Sequence, residues 1–233
     1  MDIVGASEVT VTVAGGKTAE VKTAEFTNNK EAKGSLNVKK NVTVNGEATT
    51  TSLADGNYIF KIYSDEEQTT LATDADGNEI GDVTVTVSGG QSATVTVGNL
   101  LPGTYYVHEE EGAHGTTLTG ENANDQLIEI TEENYNKEVQ TAEFTNNKDV
   151  GKLKIKKNVT VNGETTTGTL ADGTYTFTIK KDGAEVTGKS PVTLTVSGGK
   201  SAETTVDDLE PGTYVVAEDL SKNPTGMDIV GAR

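Results

Sequence analysis

The chain has 233 residues, a net charge of −17, 33% hydrophobic and 5% aromatic residues, and neither cysteine nor tryptophan. An acidic surface repels phosphate, which argues against nucleic acid and anionic membrane as partners, and the missing thiols exclude disulfides, thiolate chemistry and cysteine-based metal sites. No run is long and apolar enough to insert as a spanning helix, and the abundance of Gly and Thr favours short strands and tight turns over helices.

The first segment, residues 1–33, contains "EVTVTVAGGKTAEVKTAEFTNNK" (8–30). The last eight residues of that stretch, 23–30, recur as 141–148, where they close a long regular unit. Period-two alternation puts Phe26 and Asn28 on one face, as it does Phe144 and Asn146. The unit itself opens with "GSLNVKKNVTVNGEATTTSLADGNYIFKI" (34–62). Alternating β-branched runs predict strands over 35–43, 57–63, 83–88, 92–97, 104–109 and 138–145, with turns at "VNGE", "ADGN", "SGGQ" and "LPGT". Between them "DADGNEIGD" (74–82) has a calcium-loop flavour, but Glu79 stands where an EF-hand loop needs glycine, so a hairpin turn is expected. His108 and His114 are isolated, with His108 alternating outward, and no metal site is expected of them. "LPGT" recurs as "EPGT" before a strand and reads as a turn, not a sorting signal. No Ser–His–Asp set and no phosphate loop is found.

Residues 151–179 repeat 34–62, and 192–219 repeat 83–110, the first copy having the longer hairpin. These are tandem copies of one fold. The second copy stops before any closing segment, and the N-terminus supplies the missing piece. "MDIVGA" marks the seam, at 1–6 and again at 227–232. Met1 begins mid-pattern, so the expectation is a segment cut out of phase from a repeat array. The expected domains are 1–33, the closing strands of an incomplete domain; 34–149, a complete domain; and 150–233, a domain without its last strands, completed by residues 1–30 of a neighbouring chain. No window carries a helical stripe. The fold class is all-β, tandem antiparallel immunoglobulin-like sandwiches.

Alternation also places charge inside. Leu36, Val38, Lys40 and Val42 share a face, as do Leu153, Ile155, Lys157 and Val159. Tyr105, Val107 and Glu109 share one, and so do Tyr214, Val216 and Glu218. Each complete domain therefore aims a Lys, a Glu and an Asn at its interior. As a stabiliser a buried ion pair is poor, because desolvation can exceed the attraction. With an amide beside it, chemistry becomes available. Burial lowers the lysine pKa and raises that of the glutamate, and a neutral amine can attack the Asn side-chain carbon with loss of ammonia. The step calls for no cofactor.

The motifs "GxLxVxK", "ADGxYxF", "LPGTYYVHE" and "AEFTN" resemble, in the same order, those of CnaB-type domains of Gram-positive surface adhesins and pilins. The resemblance covers essentially the whole chain. It implies a Lys–Asn isopeptide bond promoted by a Glu: Lys40, Glu109 and Asn146 in one set, Lys157, Glu218 and Asn28 in the other. Each Glu acts once, so the chain is not an enzyme in the turnover sense. The implied role is a structural stalk or shaft repeat of a surface adhesin or pilus-like fibre, extracellular and attached to the cell surface or wall in its parent. The competing reading is a ligand-binding adhesin module recognising host matrix protein or glycan. A third, a hydrolase using Glu109, lacks a second placed carboxylate. The near-identity of the repeats favours a spacer.

Asn28 precedes its lysine. The residues from Asn29 to Lys33 reach roughly 17 Å when extended, whereas a seven-residue strand alone approaches about 24 Å. The partner expected is therefore another copy of the chain, joined head-to-tail by strand complementation, a contact that need not close and so yields a filament. Residues 227–232 are expected to occupy the open slot provisionally.

Overall fold

The structure, a computed structural model, describes residues 2–3, 7–16, 20–110, 113–120, 124–137 and 139–231. It divides into two compact units, one of residues 1–42 with 50–146 and one of 43–49 with 147–233. The division lies within a few residues of the repeat boundary. The hairpin tip 43–49 groups with the second unit, where Asn45 N–H donates to Lys148 O and Val150 N–H to Asn45 Oδ1. Numbering only strands longer than two residues, the first unit holds β1 (Gly34–Val44), β2 (Gly56–Tyr63), β3 (Val83–Val87), β4 (Ala93–Leu100), β5 (Gly103–Glu109), β6 (Asp125–Ile130) and β7 (Gln140–Lys148). The second holds β8 (Gly151–Lys157), β9 (Gly173–Lys181), β10 (Val192–Val196), β11 (Ala202–Leu209) and β12 (Tyr214–Glu218).

In the first unit one antiparallel sheet runs β6-β5-β2-β3. The other runs through β1 and β7 to Thr117–Leu118, with β4 also paired to β1. Alternation is plain in β3, where Val83, Val85 and Val87 are buried and the threonines between them are exposed. The inward set from both sheets, Leu36, Val38, Tyr58, Phe60, Val107 and Phe144 among them, forms one core. Such alternation is what a sheet with one buried and one wet face requires. The hairpin after β1 turns on Asn45 (φ 52°) and Gly46 (φ 79°), the pair of left-handed residues that lets a two-residue loop follow strand twist.

The second unit repeats these devices. Tyr58 Oη donates to Ala54 O and Tyr175 Oη to Ala171 O, both at 2.8 Å. Asp55 accepts from the backbone of Gly89 and Gly90, and Asp172 from Gly198 and Gly199. What differs is completeness. β1 is flanked by β4 and β7, while β8, its repeat counterpart, pairs only with β11 among the described residues. Leu36 is wholly buried and its counterpart Leu153 only half-buried. The second core is correspondingly smaller, centred on Ile155, Tyr175, Phe177, Ile179, Val196 and Leu209.

The observed strands extend the expected ones by a few residues; for example β4 runs to Leu100 and β7 to Lys148. The segment 20–30 behaves differently from its twin. In β7, Ala142, Phe144, Asn146 and Lys148 are buried. In 20–30 every residue is exposed, and among the described residues only Asn28–Asn29 is paired, with Ile3 and Asp2. The same octapeptide is thus core in one place and surface in the other. Alternation gives a strand two faces, but only a facing core makes one of them buried.

Candidate functional site

β1 carries Lys40 inward because its apolar register, Leu36, Val38, Val42, runs straight through that position. β5 carries Glu109 inward beyond Tyr105 and Val107, at the point where Glu109 pairs with Phe60 in register. β7 brings Asn146 in behind Phe144. The three side chains meet. Lys40 Nζ donates to Glu109 Oε2 at 2.5 Å and to Asn146 Oδ1 at 2.6 Å. Asn146 Nδ2 donates to Glu109 Oε1 at 2.9 Å and to Thr116 Oγ1 at 3.0 Å. One carboxyl therefore touches both the amine and the amide nitrogen. Lys40 and Glu109 are 0% exposed and Asn146 3%. The ammonium also lies 4.7 Å from the Tyr58 ring centroid, a favourable placement for a desolvated cation.

Burial decides the protonation. It strips water from the Lys40 ammonium and brings the pKa down from 10.5 to about 8, even though the Glu109 hydrogen bond and charge oppose the change. Burial likewise pushes the Glu109 carboxyl up, against the pull of Lys40 and Asn146. Both shifts favour moving the proton from amine to carboxyl, and an amine and a carboxyl in those forms are able to act as nucleophile and acid. The carbonyl carbon of Asn146 is one bond from an oxygen already in contact with Nζ.

In the second unit Lys157 Nζ donates to Glu218 Oε1 at 2.8 Å and Oε2 at 2.9 Å, and lies 4.4 Å from the Tyr175 ring centroid. The register repeats: Glu218 pairs with Phe177, and Lys157 with Ala202 as Lys40 does with Ala93. The side chains keep 12% and 6% exposure because their site opens into a cleft of about 560 Å³. Leu153, Lys157, Phe177, Glu218, Ile229 and Val230 border it. The tail residues Ile229 and Val230 thus reach the slot, whereas Met1 and 4–6, and the end of the second "MDIVGA", lie outside the described residues. Asn28 is not among the cleft residues; it sits exposed opposite Ile3.

Two site residues escape sequence reasoning. Thr116 and Asn223 both lie in loops, where no alternation points them inward. Asn223 Nδ2 donates to Glu218 Oε1 at 2.7 Å. The expected isolation of His108 is corrected: its Nδ1 lies 2.7 Å from Asp125 Oδ1, because Asp125 stands opposite it on β6. The 74–82 segment is a turn, with Asp74 Oδ1 accepting from the backbone of Asp76 and Asn78. Among the described residues no group of three or more His, Asp or Glu could hold a metal, and no helix is long and apolar enough to cross a membrane.

No protein-family model and no curated protein matches the chain. Solved structures similar to it include the Bacillus anthracis TIE protein (21% identity, 83% of this chain and 29% of that one, TM-score 0.32). Others are a streptococcal ancillary pilin (20%, 84% and 56%, 0.34) and a major pilin of Streptococcus pyogenes (16%, 82% and 84%, 0.44). The chain thus spans less than two thirds of the first two.

Proposed function

We propose that the chain is a structural shaft segment of a Gram-positive surface adhesin or pilus-like fibre, built from CnaB-type sandwiches locked by self-formed amides. The observation that carries this is the buried contact of Lys40 Nζ with both Glu109 and Asn146. Lys40 gives its proton to Glu109. Neutral Nζ forms a bond to Asn146 Cγ, the Cγ–Nδ2 bond breaks, and Nδ2 takes up a proton through Glu109 and leaves as ammonia. A group so held needs no diffusion to react. The product braces a cysteine-free sandwich between residues 106 apart in sequence.

The second unit reacts with another copy. Its slot lies beside β8, where the octapeptide of β7 fills the equivalent place beside β1. An identical octapeptide at 23–30 stands exposed, with Phe26 59% accessible. Inserted in the register of β7, it brings Phe26 to Phe177 and Asn28 to Lys157 and Glu218. Main-chain pairing at an open edge supplies affinity, and alternate side chains supply specificity. Chains joined in this way form a covalent filament suited to an extracellular, wall-attached fibre.

Intact mass spectrometry tests both bonds. Each should remove about 17 Da, one ammonia per amide. A monomer at full uncondensed mass refutes the first bond. Concentrated protein boiled in detergent should give a ladder of multimers that Asn28→Ala collapses. A single monomer band with no second ammonia loss refutes the intermolecular bond.

A further inference from the structure

The Glu218 carboxylate, which borders the cleft, carries an amide partner of its own. Asn223 follows the short 3-10 turn Leu220–Lys222, and its Nδ2 donates to Glu218 Oε1 at 2.7 Å. Its Oδ1 is buried and has no hydrogen-bond partner among the described residues, the one buried side-chain acceptor of which this is true. A buried amide oxygen left without a donor is costly. An oxygen so placed has an acceptor site open to a donor brought by another segment.

The closed site shows which donor. There the two hydrogens of Asn146 Nδ2 are divided between Glu109 Oε1 and Thr116 Oγ1. Thr116 stands two residues after His114, whose ring packs so closely on Gly56 that a Cβ there would meet it at 2.3 Å. In the second unit Pro224 packs on Gly173 in the same way, with Cγ 2.4 Å from such a Cβ. Two residues after Pro224 comes Gly226, which has no hydroxyl, and Thr225, which stands 109 residues after Thr116 in the repeat register, is exposed. The loop that supplies the Thr116 acceptor in one unit cannot supply it from that position in the other. It offers instead the unpartnered Oδ1 of Asn223, held beside the same carboxylate oxygen.

We infer that Asn223 is the positioning residue of the second cross-link, accepting through Oδ1 the second hydrogen of the incoming Asn28 amide. The inference rests on the reading that Asn28 of another copy condenses with Lys157. In that step Nζ bonds to Asn28 Cγ, the Cγ–Nδ2 bond breaks, and the proton released from Nζ passes through Glu218 to Nδ2, which departs as ammonia. Asn223 fixes the departing nitrogen next to Glu218, where the carboxyl can protonate it. Before docking, its Nδ2 contact keeps Glu218 turned towards Lys157. The two roles use opposite ends of one amide.

The test compares full chains by the rate at which detergent-resistant multimers form, with the ammonia loss at Lys40–Asn146 as an internal control of folding. Asn223→Ala should slow linking by about tenfold or more, the loss of one oriented hydrogen bond in the reaction. Asn223→Thr, which restores a hydroxyl acceptor, should recover most of the rate. Association without chemistry, measured by sedimentation in a Lys157→Ala background, should change by less than about twofold with Asn223→Ala, as expected when only positioning is lost. Equal linking rates for Asn223→Ala and wild type overturn the role of Asn223 and leave the cross-link standing. Lost association overturns positioning in favour of docking. Wild type that never links Lys157 to Asn28 overturns the parent reading, and this one with it.

Discussion

Phe60 and Phe144 meet across the first sandwich with ring centroids 4.9 Å apart and planes tilted by 51°. Phe177, the repeat counterpart of Phe60, borders the open cleft instead. The ring that would meet it, Phe26, is exposed on the N-terminal segment. Phe26→Ala should therefore weaken head-to-tail association and leave the Lys40–Asn146 bond intact. Truncating a buried Phe costs about 3–5 kcal/mol, so the association constant should fall by more than about a hundredfold. Sedimentation at graded concentrations measures it. Unchanged association would show that Phe26 does not enter the cleft.

Glu109→Ala should leave the first unit at its full uncondensed mass, because nothing then relays the proton from Lys40 to the leaving nitrogen. The missing bond also removes a cross-link over a 106-residue separation. By the loop-entropy relation for disulfides this is worth about 4–5 kcal/mol, a fall in melting temperature of more than about 15 °C for a domain of this size. Calorimetry beside intact mass decides it. Retained ammonia loss would assign the proton relay to another group.

Bond formation should have a bell-shaped pH dependence. The reactive state, neutral Lys40 with protonated Glu109, carries the same number of protons as the ion pair, so it is lost when a proton is added or removed. The alkaline limb should fall near pH 8, where Lys40 loses its proton without returning it to Glu109. The acid limb should lie above pH 4.5, since burial raises the Glu109 carboxyl. Refolding freshly synthesised chain from urea across pH, with mass as the readout, tests this. A rate rising without limit above pH 9 would remove Glu109 as the acid.

Deleting residues 1–30 should leave 34–149 resistant to protease and 150–233 sensitive in solutions of any concentration. The reason is the edge of β8 that no strand of the described residues pairs, and the half-buried Leu153 beside it. A synthetic peptide of residues 8–30 should restore resistance to the second unit. Equal resistance of both units without peptide would mean that the tail residues Ile229 and Val230 already close the slot.

Much of this was legible in the sequence. Period-two alternation alone put Lys40, Glu109 and Asn146 on inward faces, because a strand offers each side chain one of two directions. The repeat alone showed that the octapeptide closing the first copy, 141–148, recurs at 23–30 and not after 219. What alternation could not supply is depth or partnership. It treats Asn28 and Asn146 alike, yet one is exposed and the other buried, since burial depends on which core the strand meets. Nor could it find Thr116 and Asn223. Loop residues have no periodicity, and their side chains are aimed by hydrogen bonds and by the packing of His114 on Gly56 and Pro224 on Gly173. The sequence by itself determined the strands, their faces and which polar residues share the inward registers. Only tertiary structure decided which amine, acid and amide touch, because contact between residues 69 and 106 apart is set by sheet pairing and core packing.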